Sequence, residues 1–176
     1  MEIFVGCSSS EKLDKKYMDL AHKLGLFISK NNHTLIFGSS DKGMMGELYK
    51  TVRNNKGKVI SVIPKEYRGM LTFVESDKVI EVSTTSDQLK ALVNMGDITI
   101  ILPGSYGTLS ELMTSIQCKK LGEHNKPIFI INLDGFYDDI INTFDKIYKE
   151  NFDFYDKDKL YKVVNSVEEL EKYIKE

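Results

Sequence analysis

The stretch "ITIILPGSYGTLSE", Ile98 to Glu111, decides the fold. Its first five residues are apolar or β-branched, as in a strand buried on both faces. Pro103 and Gly104 end that run. "TLSELMTSIQCKKLG" then reads as a helix stopped by Gly122. A strand that passes into a helix through so bare a loop is half of a βαβ unit. The same alternation extends to both ends of the chain. "IFVGC" (Ile3–Cys7), "HTLIFG" (His33–Gly38), "KVISVIP" (Lys58–Pro64) and "KPIFIINLDG" (Lys126–Gly135) read as further strands. Tyr17, Leu20, Ala21, Leu24, Phe27 and Ile28 mark one helix face by their spacing. "GMMGELYKTVRNNKG", "FYDDIINTFDKIYKE" and "SVEELEKYIKE" are helical, and so is "TSDQLKALVNMG", with Thr85 or Ser86 as its cap. The segment from Lys65 to Val82 is expected to hold a surface loop and a short strand, "VIEV". "KDKLYK" (Lys157–Lys162) reads as a solvated face. The expected architecture is α/β: a Rossmann-like three-layer sandwich with a mostly parallel sheet. One domain is expected over residues 1–176, with no repeat, low-complexity tract or linker.

The 176 residues suit one sizeable core, with 41% hydrophobic and 28% charged residues. A net charge of −2, from 24 basic and 26 acidic side chains, gives no field that draws the chain to nucleic acid or to an anionic membrane. Cys7 and Cys118 have neither a CxxC partner nor a metal-ligand spacing, so both read as reduced thiols. "MEIFVGCSSS" lacks a basic, then apolar, secretory pattern, and no run is long enough to span a bilayer. The expectation is a cytoplasmic protein.

In a parallel sheet of this kind, ligands bind beyond the carboxyl ends of the strands. Three loops belong there. In "GCSSSEK", Gly6 lets the backbone approach a ligand closely, and Ser8, Ser9 and Ser10 offer hydroxyls; a plain serine-rich cap is the competing reading. In "GSSDKGMMGE", Gly38, Gly43 and Gly46 follow a strand and open a helix, a spacing that fits neither a Walker loop nor a dinucleotide fingerprint. Gly43 and Gly46 suit either a free-amide anion site or tight packing of the helix start. In the third loop, Pro103 and Gly104 end the strand, Ser105 and Tyr106 form the turn, and Gly107 and Thr108 start the helix. Unpaired amides there carry the positive end of the helix dipole and suit a phosphate. The loop is bare because bulk would block that approach.

Glu111 has two readings. Thr108 and Glu111 match the capping-box spacing, in which the glutamate bonds back to the cap amide. Alternatively, Glu111 is a catalytic carboxylate beside a bound phosphate.

"PGSYGTLSE" is similar to the PGGxGTxxE motif of the LOG-like proteins, the cytokinin riboside 5'-monophosphate phosphoribohydrolases long labelled lysine decarboxylases. "GSSDKGMMG" resembles that family's GGGxxGLMG loop, and "HNKPIFIINLDGFYDDII" resembles the segment that follows. The similarity runs from about Ile3 to Ile174. The resemblance implies a Rossmann-like homodimer that binds a nucleoside 5'-monophosphate and hydrolyses its N-glycosidic bond, with no metal and no cofactor. It assigns the motif glutamate to Glu111 and the phosphate-binding pair to Gly107 and Thr108. It also places the site near the dimer interface. Ser8, Gly38, Ser39, Gly43, Gly46 and Gln88 are the further candidate nucleotide-binding residues. This sequence departs from the pattern at Ser105, at Ser39 and Ser40, and at Gln88. Counting back from Pro103 puts Gln88 where the family has a catalytic arginine and Leu89 where it has a lysine.

Glycosidic cleavage passes through a cationic sugar, which a fixed carboxylate can stabilise or supply with activated water. Gln88 can only hydrogen-bond. Two functions follow: a nucleotide N-glycosidase with altered activity, or a nucleotide-binding sensor or carrier. Lysine decarboxylation would require a Schiff-base lysine and its pyridoxal cofactor. Lys119 and Lys120 lie late in a helix and suggest no such site.

Overall fold

The computed structural model describes residues 1–67 and 74–174. Among them, seven strands form one sheet in the order β4-β3-β2-β1-β5-β6-β7. They are β1 (Glu2–Gly6), β2 (Thr34–Phe37), β3 (Lys58–Pro64), β4 (Lys78–Val82), β5 (Ile98–Ile101), β6 (Ile128–Ile131) and β7 (Lys162–Val164). Every pairing is parallel, with Ile3 opposite Leu35 on one side and opposite Ile98 on the other. Six α-helices cover the sheet: α1 (Lys15–Lys30), α2 (Gly43–Asn54), α3 (Thr85–Met95), α4 (Tyr106–Lys120), α5 (Asp138–Lys149) and α6 (Val167–Ile174).

Alternation along the strands sorts side chains onto two faces. Ile3, Val5, Leu35, Phe37, Ile100 and Leu102 pack with residues of α1, α2 and α6. On the other face, Phe4, Ile36 and Val62 meet α3, while Ile101, Ile128 and Ile130 meet α4 and α5. The result is the three-layer Rossmann-like sandwich expected. Each fully buried leucine, isoleucine or phenylalanine contributes roughly 1.5–3 kcal/mol, so both faces are needed to hold the sheet.

Several boundaries differ from the sequence reading. The expected cap of α3 moves to Thr84, whose hydroxyl accepts from the Asp87 amide while Asp87 returns the bond to Thr84. "KDKLYK" is not a uniform solvated face: Leu160 is buried and Lys162 opens β7. Part of the loop expected between Lys65 and Val82 falls on residues 68–73, outside the described residues. No helix among the described residues is long and apolar enough to cross a membrane.

The topology fixes where a ligand fits. The connection through α1 leads from β1 to β2, whereas α3 leads from β4 across to β5, on the other side of β1. The chain after β1 and the chain after β5 therefore diverge, leaving a crevice at their carboxyl ends.

Candidate active site

Backbone bonds tie three loops around that crevice. The Leu102 amide donates to the Gly6 carbonyl at 2.9 Å, the Ser8 amide to Pro103 at 3.3 Å, and the Met45 amide to Ser8 at 3.1 Å. Gly43 sits at φ +57°, and a β-carbon there would run into the backbone of Ser9 and Ser10. At Gly46 it would strike Asp41. The conformation of both glycines is explained by packing, and the amides of Met45 and Gly46 are already bonded, to Ser8 and Lys42. Ser39 is buried at φ 63°, and the Ser40 hydroxyl accepts from the Lys42 amide. The Ser8 hydroxyl likewise accepts from the Ser10 amide.

The start of α4 lies beside these loops. The sequence placed it at Gly107 and Thr108, but the helix begins at Tyr106, with Ser105 as a cap that makes no side-chain bond. The first helical bond runs from the Leu109 amide to Ser105. The amides of Tyr106, Gly107 and Thr108 precede it and have no intrahelical acceptor. Gly107 is exposed, and a β-carbon on it would meet nothing within 4 Å. Thr108 is buried, and Gly104 is so close to it that a β-carbon would collide with its hydroxyl.

Because α4 starts earlier, Thr108 and Glu111 are its third and sixth residues, so the capping-box alternative does not form. Glu111 turns inward instead. Its Oε2 is closed off from solvent and has no hydrogen-bond partner. Burial pushes its carboxyl up to about 8. The space it occupies lies over Gly6, where a β-carbon would stand 2.5 Å from Oε2. Two neutral groups sense its charge. Cys7 is buried and pushed up, first by burial and then by Glu111. Tyr137 is pushed up by burial first, with Cys7 and Glu111 adding to it. The Tyr137 hydroxyl donates to the Leu102 carbonyl at 2.7 Å, and its amide donates to Asn132 Oδ1.

Gln88 reaches the crevice from the first turn of α3. Its Nε2 donates to the carbonyl of Val62 at 2.7 Å and to that of Gly38 at 3.4 Å. It therefore spans the carboxyl ends of β3 and β2.

A pocket of about 220 Å³ opens on the α1 side of the crevice, lined by Ser8, Tyr17, Met44, Pro103, Ser105 and Phe136 among others. Tyr17 and Phe136 meet edge to face, with centroids 5.9 Å apart. The sequence reading missed these aromatic walls, and it missed Tyr137. Their only local signal is "GFYDD", which reads as a helix entry. Among the described residues, no group of three His, Cys, Asp or Glu side chains is arranged to hold a metal.

Lys119 Nζ donates to the Lys126 carbonyl and Lys120 pairs with Asp153, both at the far end of α4. Two helical turns and more separate them from Glu111, roughly 12 Å along the axis.

Residues 45–174 match the protein family described as "Possible lysine decarboxylase". The chain is 38% identical over 153 residues to a rice protein (Oryza sativa subsp. japonica) named probable cytokinin riboside 5'-monophosphate phosphoribohydrolase LOGL6. That match covers 85% of this chain and 60% of the rice protein. It is 35% identical over 151 residues to cytokinin riboside 5'-monophosphate phosphoribohydrolase LOG2 of Arabidopsis thaliana, covering 85% of this chain and 71% of that one. The chain thus spans about 60–68% of the length of the rice relatives it matches. Among solved structures, the molybdenum cofactor carrier protein of Chlamydomonas reinhardtii superposes with a TM-score of 0.74 at 16% identity, covering 99% of this chain and 95% of that one. The molybdenum cofactor binding protein of Rippkaea orientalis superposes with the same TM-score at 18% identity, covering 99% and 94%. These two likenesses speak to the fold alone. The family match over most of the chain and the identity to its plant members agree with the motif ending at Glu111: this chain belongs to the LOG family.

Proposed function

We propose that this protein hydrolyses the N-glycosidic bond of a nucleoside 5'-monophosphate, releasing a free base and ribose 5-phosphate. The observation that carries the reading is the pairing, on one helix, of free amides at Tyr106, Gly107 and Thr108 with an inward-turned acid at Glu111, one turn further along. The amides and the helix dipole suit a phosphate monoester. Held there, the ester fixes its pentose close to Glu111, so binding energy becomes orientation. The names of the plant relatives agree with this chemistry. Ser8, Gly38, Ser39, Ser105 and Gln88 would complete the rim. We infer a homodimer contact on the exposed side of α4, where Tyr106 and Met113, with Leu121 at the C-cap, recur at helical spacing. Sedimentation of Met113→Lys tests it: a monomer supports the assignment and an unchanged dimer contradicts it.

Gln88 favours a second reading, a nucleotide-binding protein without turnover. Its side-chain nitrogen is spent on backbone carbonyls, and an uncharged amide offers a bound substrate no positive charge to hold its phosphate. Incubation with a panel of nucleoside monophosphates, followed by chromatography for free base, separates the two. Base release supports the hydrolase. Thermal stabilisation by a nucleotide without release selects the binding protein.

A further inference from the structure

Gly6 ends β1 beneath α4, and the Glu111 carboxyl fills the space that its missing β-carbon leaves. A methyl group there would stand 2.5 Å from Oε2, 3.4 Å from Cδ and 2.9 Å from Ile101 Cδ1. While Glu111 occupies this notch, only glycine fits at position 6. The enclosed Oε2 has no donor to receive. Glu111 is half-buried, and an ionised carboxylate in this position keeps Oε2 out of water with no partner, which is a costly way to hold a charge. The neutral acid loses far less. The titratable groups facing it are the Cys7 thiol at the end of β1 and the Tyr137 phenol ahead of α5; burial keeps both neutral, and neither supplies positive charge. From α3 the polar residue at the crevice is Gln88, uncharged and bonded to Val62 and Gly38.

We propose that Gly6 is the positioning residue that holds Glu111 as a neutral acid at rest, so that Glu111 enters the reaction as the proton donor to the departing base. The donor role rests on the N-glycosidase reading; the resting state does not. As the bond between C1′ and the base nitrogen breaks, its electron pair stays with the nitrogen, which takes the Glu111 proton. The carboxylate left behind stabilises the cationic sugar. Water adds to C1′ and returns its surplus proton to Glu111. One water is consumed, nothing is oxidised or reduced, and the acid is restored.

The test is a carboxyl 13C NMR titration of the full chain labelled in glutamate, with the Glu111 signal assigned by its loss in Glu111→Gln. Wild type should titrate near 8. Gly6→Ala, which expels the carboxyl from the notch, should titrate about one to three units lower. Wild-type titration in the ordinary carboxylate range overturns the neutral acid. An unchanged midpoint in Gly6→Ala overturns the role of Gly6. If Gly6→Ala does not fold, thermal melts of wild type and Glu111→Gln decide. A carboxyl raised from 4.5 to about 8 on folding gives stability that is present below 4.5 and lost as pH rises to 8. Glu111→Gln suffers no such loss, so its advantage should widen between about pH 5 and 8. An advantage that does not change with pH overturns the proposal. Neither measurement uses a nucleotide, so a midpoint near 8 without base release from any nucleotide overturns the donor role and leaves the Gly6–Glu111 pair standing.

Discussion

The side-chain amide of Gln88 donates to the Val62 carbonyl at 2.7 Å, which fastens the first turn of α3 to the end of β3. Gln88, which a gapless count from Pro103 puts at the arginine of the resembled pattern, is thus a strut. Replacing it with arginine puts a cation back at the crevice. An arginine can hold the substrate's phosphate, so Gln88→Arg should raise kcat/KM for free-base release by about tenfold or more. Gln88→Ala should lower stability by about 1 kcal/mol, because the Val62 carbonyl loses a donor. Steady-state release and urea denaturation read the two effects separately.

Tyr137 braces the other side. Its buried hydroxyl donates to Leu102, directly before the loop of Pro103 and Gly104. Tyr137→Phe should destabilise by about 1–3 kcal/mol, since the carbonyl it leaves behind is buried. Urea midpoints measure this, and a variant as stable as wild type would deny Tyr137 its bracing role.

Two glycines should respond in opposite ways. Gly43→Ala meets both a positive φ and the backbone of Ser9 and Ser10, so it should cost about 2 kcal/mol or more. Gly107→Ala meets nothing and replaces an exposed helical glycine, so it should gain about 0.5–1 kcal/mol. The same alanine sits on the amides assigned to the phosphate. Nucleotide affinity, read by calorimetry, should therefore fall in Gly107→Ala even as its melting temperature rises.

Cys7 is buried, and its thiol is raised by burial and by Glu111. It should resist iodoacetamide in the native protein and react only on unfolding. Mass spectrometry of tryptic peptides checks this, and prompt native labelling at Cys7 would show that the crevice floor is open.

Most strands were legible because they are apolar runs flanked by turn residues, and the carboxyl-end rule then pointed to loops that the fold ties together around one crevice. β7 was not legible: it spans only Lys162–Val164 and follows a run of alternating charge whose Leu160 shows no local sign of burial. The start of α4 was misplaced because Ser105 and Thr108 are both competent caps, and only packing chooses between them. That choice also removed the capping-box alternative at Glu111. Counting back from Pro103 located Gln88, but its partners lie far off in the chain, Val62 in β3 and Gly38 just beyond β2. Gly6 was read as room for a ligand, whereas the room is taken by Glu111. No local pattern announces that contact, since it joins the first strand to the fourth helix.

The most direct measurement is the rate of free-base release from a nucleoside monophosphate by wild type and by Glu111→Gln, with affinity measured alongside. A loss of about 100-fold or more in release, with nucleotide binding retained, is the predicted result. Release by Glu111→Gln at the wild-type rate would contradict the account.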